Sequence, residues 1–294
     1  MNRRPGADSK AVVWTFEDNE LTHRSDRLAT EEPLEIRLEQ DSSTSPLAVT
    51  MRTPGSDFEL VAGFLFSEGA VSTKNDLVQM AYCVDREADE QLYNVVTVRL
   101  RGDIEELTPL QRHFYTSSAC GVCGKANLDA LNILAKPIES KVTVDASVVY
   151  GLADSLAGGQ GVFKRTGGLH AAALFDRFGD LMAVREDVGR HNAVDKVMGW
   201  AFLNDRLPLG DHILLVSGRT SFEIMQKAVM AQVPIVCAVS APSSLALEVA
   251  KRFDMTLIGF LRGRRFNLYA GPGRIGTPAP GSGVAGVTGP ATNP

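Results

Sequence analysis

Over residues 93–100, Val95, Thr97 and Arg99 alternate with Val96, Val98 and Leu100, the two-residue period of a strand with one face buried. Shorter apolar runs at 11–16, 34–38 and 47–52 predict further strands in the first half. Between them the period changes. Pro54-Gly55 marks a turn, Ser56 stands where it could cap a helix over 57–67, and Phe58, Val61, Phe64 and Leu65 recur on one face before Glu68-Gly69 closes it.

From Val142 the pattern becomes more regular. It predicts a helix over 147–156, then strands 171–175 and 181–186 joined by a tight polar turn at 176–180, a hairpin. A helix over 191–203 follows, with Val194, Val197, Met198, Ala201 and Phe202 on one stripe. Beyond it, continuous apolar strands at 213–217, 234–240 and 256–261 alternate with helices at 221–231 and 243–253. That alternation predicts an α/β fold, a sheet with parallel strands and helices on both faces. The expected organisation is a disordered N-terminus (1–10), a smaller N-terminal α+β domain (11–118), a connecting loop and helix (119–141), an α/β domain (142–270) and a disordered Gly/Pro-rich tail (271–294).

Composition narrows the class. The 294 residues are 44% hydrophobic and 22% charged, ordinary globular material long enough for two domains. Thirty Lys and Arg against 35 Asp and Glu give a net charge of −5, which argues against nucleic acid as a partner. Residues 1–10 lack the apolar core of a secretory signal and no run reaches membrane-span length, so a cytoplasmic location and no membrane are expected.

Chemistry concentrates at Ala-Cys120-Gly-Val-Cys123-Gly-Lys125, which holds the only close pair among the four cysteines. Residues 125–134 carry apolar positions at helical spacing, so the pair stands at or before a helix N-terminus, where unpaired N–H groups and Lys125 favour thiolate. A thiolate can attack, hold a second sulfur or bind metal. Cys83 and Cys237 stand alone in apolar runs and read as buried thiols, and one close pair is too few ligands for a closed zinc site.

In open sheets with parallel strands, ligands bind beyond the strands' carboxyl ends. Three such ends are polar here: Ser217-Gly218-Arg219-Thr220, with Thr220 and Glu223 spaced as a capping box, Ser240-Ala241-Pro242-Ser243, and Arg262-Gly263-Arg264-Arg265. Small hydroxyls, glycines, helix N-termini and arginines suit phosphate oxygens. Taken singly, each is also an ordinary polar turn. A further charged run, 185–192 (REDVGRHN), offers His191 as a proton donor, ligand contact or capping residue. His170, after Gly167-Gly168, reads equally as a structural strand residue or a ligand neighbour.

In consecutive order, Arg52-Thr53-Pro54-Gly55 with Glu59 and Gly63-Phe64-Leu65, CGVCGK, GGLHAAAL, REDVGRHNAVDK, SGRTSFEIMQKA, SAPSSLA and FLRGRRFNLY resemble the FdhD family of formate dehydrogenase accessory sulfurtransferases. The resemblance covers roughly 34–269. It implies a sulfur carrier that takes persulfide sulfur from a cysteine desulfurase and passes it to the molybdenum cofactor, Mo-bis(molybdopterin guanine dinucleotide), before insertion into the formate dehydrogenase apoenzyme. The family's cysteines fall on Cys120 and Cys123, and its cofactor-binding segment on Phe260, Leu261, Arg262, Gly263, Arg264 and Arg265. Beside these, the polar ends at Ser217, Gly218, Arg219, Thr220 and Ser240 are the expected guanine-nucleotide contacts, no permanent protein-bound metal is expected, and a homodimer is the expected assembly.

The resemblance also implies a cytidine-deaminase-like α/β domain. Deaminase chemistry does not follow, because Ala172 stands where the general-acid/base Glu belongs after His170 and no PCxxC follows. Two other readings stay open at this point, a CxxC dithiol-disulfide oxidoreductase and a non-catalytic cofactor-binding chaperone. The roles of the two cysteines also stay open. Cys120 is the expected acceptor of the persulfide, which Cys123 relays or attacks with formation of a disulfide.

Overall fold

A computed structural model describes residues 4–40, 43–83, 92–101, 128, 131 and 135–276. The expected alternation in the second half forms a mixed six-stranded sheet of order β13-β12-β11-β10-β8-β9. β8 (His170–Phe175) and β9 (Leu181–Asp187) are the antiparallel hairpin, while β10 (Ile213–Val216), β11 (Ile235–Ala238) and β12 (Thr256–Arg262) run parallel. These strands are apolar throughout because both faces are covered. On one face α2 (Ala146–Gly159) packs Val149, Leu152 and Leu156 among Ala171, Ala173, Phe175, Leu215 and Cys237. Against the other lie α4 (Arg190–Leu203), α5 (Phe222–Met230) and α6 (Ser244–Arg252), meeting Ala172, Leu174, Leu214, Val216, Val236 and Ala238. A short α3 (Phe163–Thr166) leads into β8.

The first half adds a four-stranded sheet, β4-β3-β6-β5, from β3 (Glu32–Gln40), β4 (Ser43–Arg52), β5 (Leu77–Tyr82) and β6 (Val95–Leu100). Leu34, Ile36 and Leu38 of β3 and Val96 and Val98 of β6 are buried, as alternation requires. They cover α1 (Asp57–Ser67), whose far side lies on α4. At that crossing a Cβ on Gly63 would lie 1.9 Å from the Asp195 carbonyl oxygen, and one on Gly199 would lie 1.8 Å from that of Glu59. Only two glycines admit so close an approach. Being enclosed by sheet and helix, α1 buries Leu60, Ala62 and Phe66 besides the predicted Val61 and Leu65, and Phe58 and Phe64 are only partly buried. One apolar cluster consequently runs from Leu34 to Ala270.

Several expectations need correction. β12 does not end in a loop at Arg262: β13 (Arg265–Ala270) returns antiparallel with Arg262 opposite Arg265, so Gly263 and Arg264 form a hairpin turn. β1 (Asp8–Glu17) and β2 (Glu20–Ala29) make a separate hairpin longer than the predicted strand, beginning within the stretch 1–10 expected to be disordered. At the other end, β14 (Ile275–Gly276) pairs with β7 (Val144–Asp145), and buried Arg274 donates to the Ser140 carbonyl and Asp254, so order extends beyond residue 270. Cys83 is exposed rather than buried. Cys237 is fully buried, and burial pushes its thiol pKa up. Neither expected cap forms: Ser56 lies in the left-handed region without a capping bond, and Ser221, not Thr220, occupies the N-cap position of α5. Among the described residues no helix is long and apolar enough to cross a membrane.

Candidate functional site at the carboxyl edge of the sheet

Backbone hydrogen bonds draw the predicted strand ends into one rim. The Ser217 N–H donates to the Ala171 carbonyl and its Oγ accepts from the Ala171 N–H, both at 2.9 Å, which locks the end of β10 beside His170. Next along the edge, Val239 N–H reaches the Val216 carbonyl, and Phe260 N–H reaches the Ser240 carbonyl, each at 3.1 Å. The two crossover loops are laced through Thr220, whose N–H donates to Ala241 and whose carbonyl accepts from Ser243. Thr220 is fully buried, and among the described residues its Oγ1 has no hydrogen-bond partner. Ser243 caps α6 by accepting from the Ala246 N–H at 3.2 Å.

At the third end Phe260 has φ 53° within a register shift, and its ring stays 40% exposed. Gly259 beside it permits this bulge, since a Cβ there would lie 3.1 Å from the Ser240 carbonyl oxygen. Leu261, in contrast, is fully buried with the α2-facing core and turns its side chain away from the rim. Arg219, Arg262, Arg264 and Arg265 are exposed, and among the described residues no carboxylate lies within ion-pair distance of any of them. The Arg264 guanidinium sits 5.6 Å over the Tyr150 ring, tethering the turn to α2. An edge with unpaired guanidinium groups, hydroxyls and a helix N-terminus is able to receive an anion.

Two histidines flank the same edge. His191 Nε2 lies 3.2 Å from Ser221 Oγ and 3.7 Å from Glu223, while burial, then Arg190 and Lys227, lower its pKa to about 4. Burial first, and Arg190 second, also lowers that of His170, whose Nδ1 would lie 3.3 Å from a Cβ on Gly218. Both imidazoles are therefore neutral near pH 7. The acidic residues and the first arginine of the 185–192 run have structural partners: Arg185 pairs with Glu59 at 2.6 Å, and Glu186 accepts from the Val162 and Phe163 N–H groups. Asp187 pairs with buried Lys196 at 2.6 Å and accepts from Thr53, Gly189 and Asn192. Lys196 in turn donates to the Thr53 carbonyl, so RTPG and REDVGRHNAVDK are two sides of one buried pin. Sequence reasoning quoted both motifs without finding that they meet. Nor did it find the buried Lys227–Asp195 pair at 2.8 Å, which is concealed in helices that read as apolar.

Cys120 and Cys123 lie outside the described residues. Of the helix expected over 125–134, Leu128 and Leu131 are helical and buried in the main core. The sequence profile described as FdhD/NarQ family matches residues 29–276.

The chain belongs to the FdhD/NarQ family.

Curated relatives in the family include "Sulfur carrier protein FdhD" of Streptomyces coelicolor, 52% identical over 269 residues, covering 90% of this chain and 94% of that one. The protein of the same name from Mycobacterium tuberculosis is 50% identical over 87% of this chain and 94% of that one. That of Sulfurisphaera tokodaii is 46% identical over 90% and 98%. The solved structure titled "Crystal structure of a putative formate dehydrogenase accessory protein from Desulfotalea psychrophila" superposes with a TM-score of 0.71 over 92% of this chain and 99% of that one. At 22% identity that likeness shows a shared fold.

Proposed function

We propose that this FdhD/NarQ family member is a cytoplasmic sulfur carrier that serves formate dehydrogenase. The observation that carries the reading is identity of about half, over about nine-tenths of the chain, to relatives named sulfur carrier protein FdhD. The CGVCGK pair supplies suitable chemistry. The Cys120 thiolate attacks the outer sulfur of a cysteine desulfurase persulfide, forming Cys120-S-SH and releasing the donor's cysteine thiolate. Attack by the Cys123 thiolate on the inner sulfur then releases hydrosulfide and leaves a Cys120–Cys123 disulfide, which a cellular dithiol must reduce before the next cycle.

The cargo in this reading is Mo-bis(molybdopterin guanine dinucleotide), held as substrate by its guanine-nucleotide phosphates. Arg219, Arg262, Arg264 and Arg265, with no carboxylate at ion-pair distance among the described residues, the hydroxyls of Ser217 and Ser240, and exposed Phe260 support that assignment. Anchoring brings acceptor to sulfur by proximity, while the neutral histidines leave the rim's positive charge to arginine. The strand order β9-β8-β10-β11-β12, a hairpin followed by parallel strands, supports the cytidine-deaminase-like description. Intact-mass analysis after incubation with a desulfurase and cysteine tests the carrier: wild type should gain one sulfur atom per chain and Cys120→Ala none. Undiminished loading of Cys120→Ala would reject that cysteine as acceptor. Unchanged thiols in wild type would reject the carrier and favour a cofactor-binding chaperone.

A further inference from the structure

The β12–β13 hairpin carries its arginines on two faces. Phe266 of β13 packs with the cluster that faces α2, so alternation sends Arg265 to the opposite side of the sheet. Arg262 goes to that side as well, because it follows Leu261, which is buried toward α2, and stands directly opposite Arg265. Arg264 lies on the α2 side. Its guanidinium is 5.6 Å from the centre of the Tyr150 ring, and that ring is 5.6 Å from Phe266 with the planes inclined at 44°.

Arg264 therefore needs support of its own. It sits in the exposed turn beside Gly263, whose φ of 50° is left-handed. An arginine in such a turn samples many rotamers, and a ligand that fixes it must offset the lost freedom. A guanidinium held over an aromatic face keeps its charge and its N–H groups for a ligand, because the ring neutralises nothing. Tyr150 is built to hold it. The ring is half-buried on α2, the helix is fixed to the sheet by buried Val149 and Leu152 on either side of Tyr150, and Phe266 packs beside the ring.

We propose that Tyr150 is a positioning residue of the anion-binding rim, holding the Arg264 guanidinium in place before a guanine-nucleotide phosphate arrives. The inference rests on the nucleotide-anchoring reading above, and it adds to the rim a helix residue far in sequence from the strand ends that form it. Arg262 and Arg265, on the other face, are independent of Tyr150. The hairpin tip thus presents one tethered guanidinium and two that a ligand must order for itself.

Calorimetry with GDP on the full-length chain tests this through pairs of variants. Tyr150→Leu should weaken GDP binding about three- to tenfold, and Tyr150→Phe, which keeps the ring, should bind within about twofold of wild type. In an Arg264→Ala background Tyr150→Leu should cost nothing further, whereas with Arg265→Ala the two losses should multiply. A ring that only supported the fold would weaken binding equally in both backgrounds. Tyr150→Leu binding as tightly as wild type, Tyr150→Phe as weak as Tyr150→Leu, or equal losses in the two backgrounds would overturn the proposal. Hydrogen exchange without nucleotide separates the tether from the anchoring reading: amides 263–265 should exchange faster in Tyr150→Leu than in wild type or Tyr150→Phe. Unchanged exchange in Tyr150→Leu, with wild type binding GDP, would overturn the tether alone. A wild type that binds no GDP while Tyr150→Leu exchanges faster would overturn the anchoring reading and leave the tether standing.

Discussion

Asp187 carries more of the structure than its place in a polar run foretells. It is fully buried, ionically paired with Lys196, and bonded to Thr53, Gly189 and Asn192, so it joins the RTPG turn to the start of α4. Asp187→Ala leaves the Lys196 ammonium buried without its carboxylate and should cost about 3–5 kcal/mol, read as a lowered urea midpoint. Its neighbour His191 gives a prediction in pH. The imidazole titrates near 6.5 when unfolded and near 4 when folded, so between those values the unfolded chain holds more protons and stability rises with pH. The stability difference between wild type and His191→Asn should therefore climb from pH 4 to 6.5 and level off above. A difference flat across that window would show that burial and the neighbouring cations do not depress His191.

Between elements, the tightest constraint is the crossing of α1 and α4. Gly63→Ala and Gly199→Ala each force a methyl group against a backbone carbonyl, and each should lose at least about 1–3 kcal/mol by denaturant unfolding. Values near zero would mean that the helices separate without penalty. Both helices were legible from apolar spacing, but their contact was not, because a glycine within a helix reads alone only as a weak helix former. The same limit explains β2. Its sequence, ELTHRSDRLA, has no alternation because neither face of the β1–β2 hairpin meets the core. β13 was hidden for another reason: its arginines read as loop, while the short run Phe266-Asn267-Leu268-Tyr269 signalled a strand too weakly beside them. The rim, by contrast, was legible in advance, since strand–helix alternation places Ser217, Ser240 and Phe260 at neighbouring ends whatever the loop details. Leu261 was included by motif adjacency alone, and the strand's own alternation turns it into the core.

At the scale of the molecule, the proposed function divides the work between a cysteine pair near residue 120, which would carry sulfur, and an arginine rim between residues 217 and 265, which would hold its acceptor. Arg264→Ala or Arg265→Ala should weaken guanine-nucleotide binding by about 1–3 kcal/mol in calorimetry while leaving persulfide loading intact. Equal affinity in both variants would remove the rim from the account. On that proposal neither half suffices alone, because a loaded sulfur without an anchored acceptor makes no productive encounter. The most direct test is formate dehydrogenase activity in cells that lack the native protein and are supplied with Cys120→Ala,Cys123→Ala. The sulfur-carrier account expects no activity above the unsupplied cells, with the variant folded and still binding guanine nucleotide; restoration to the wild-type level would contradict it.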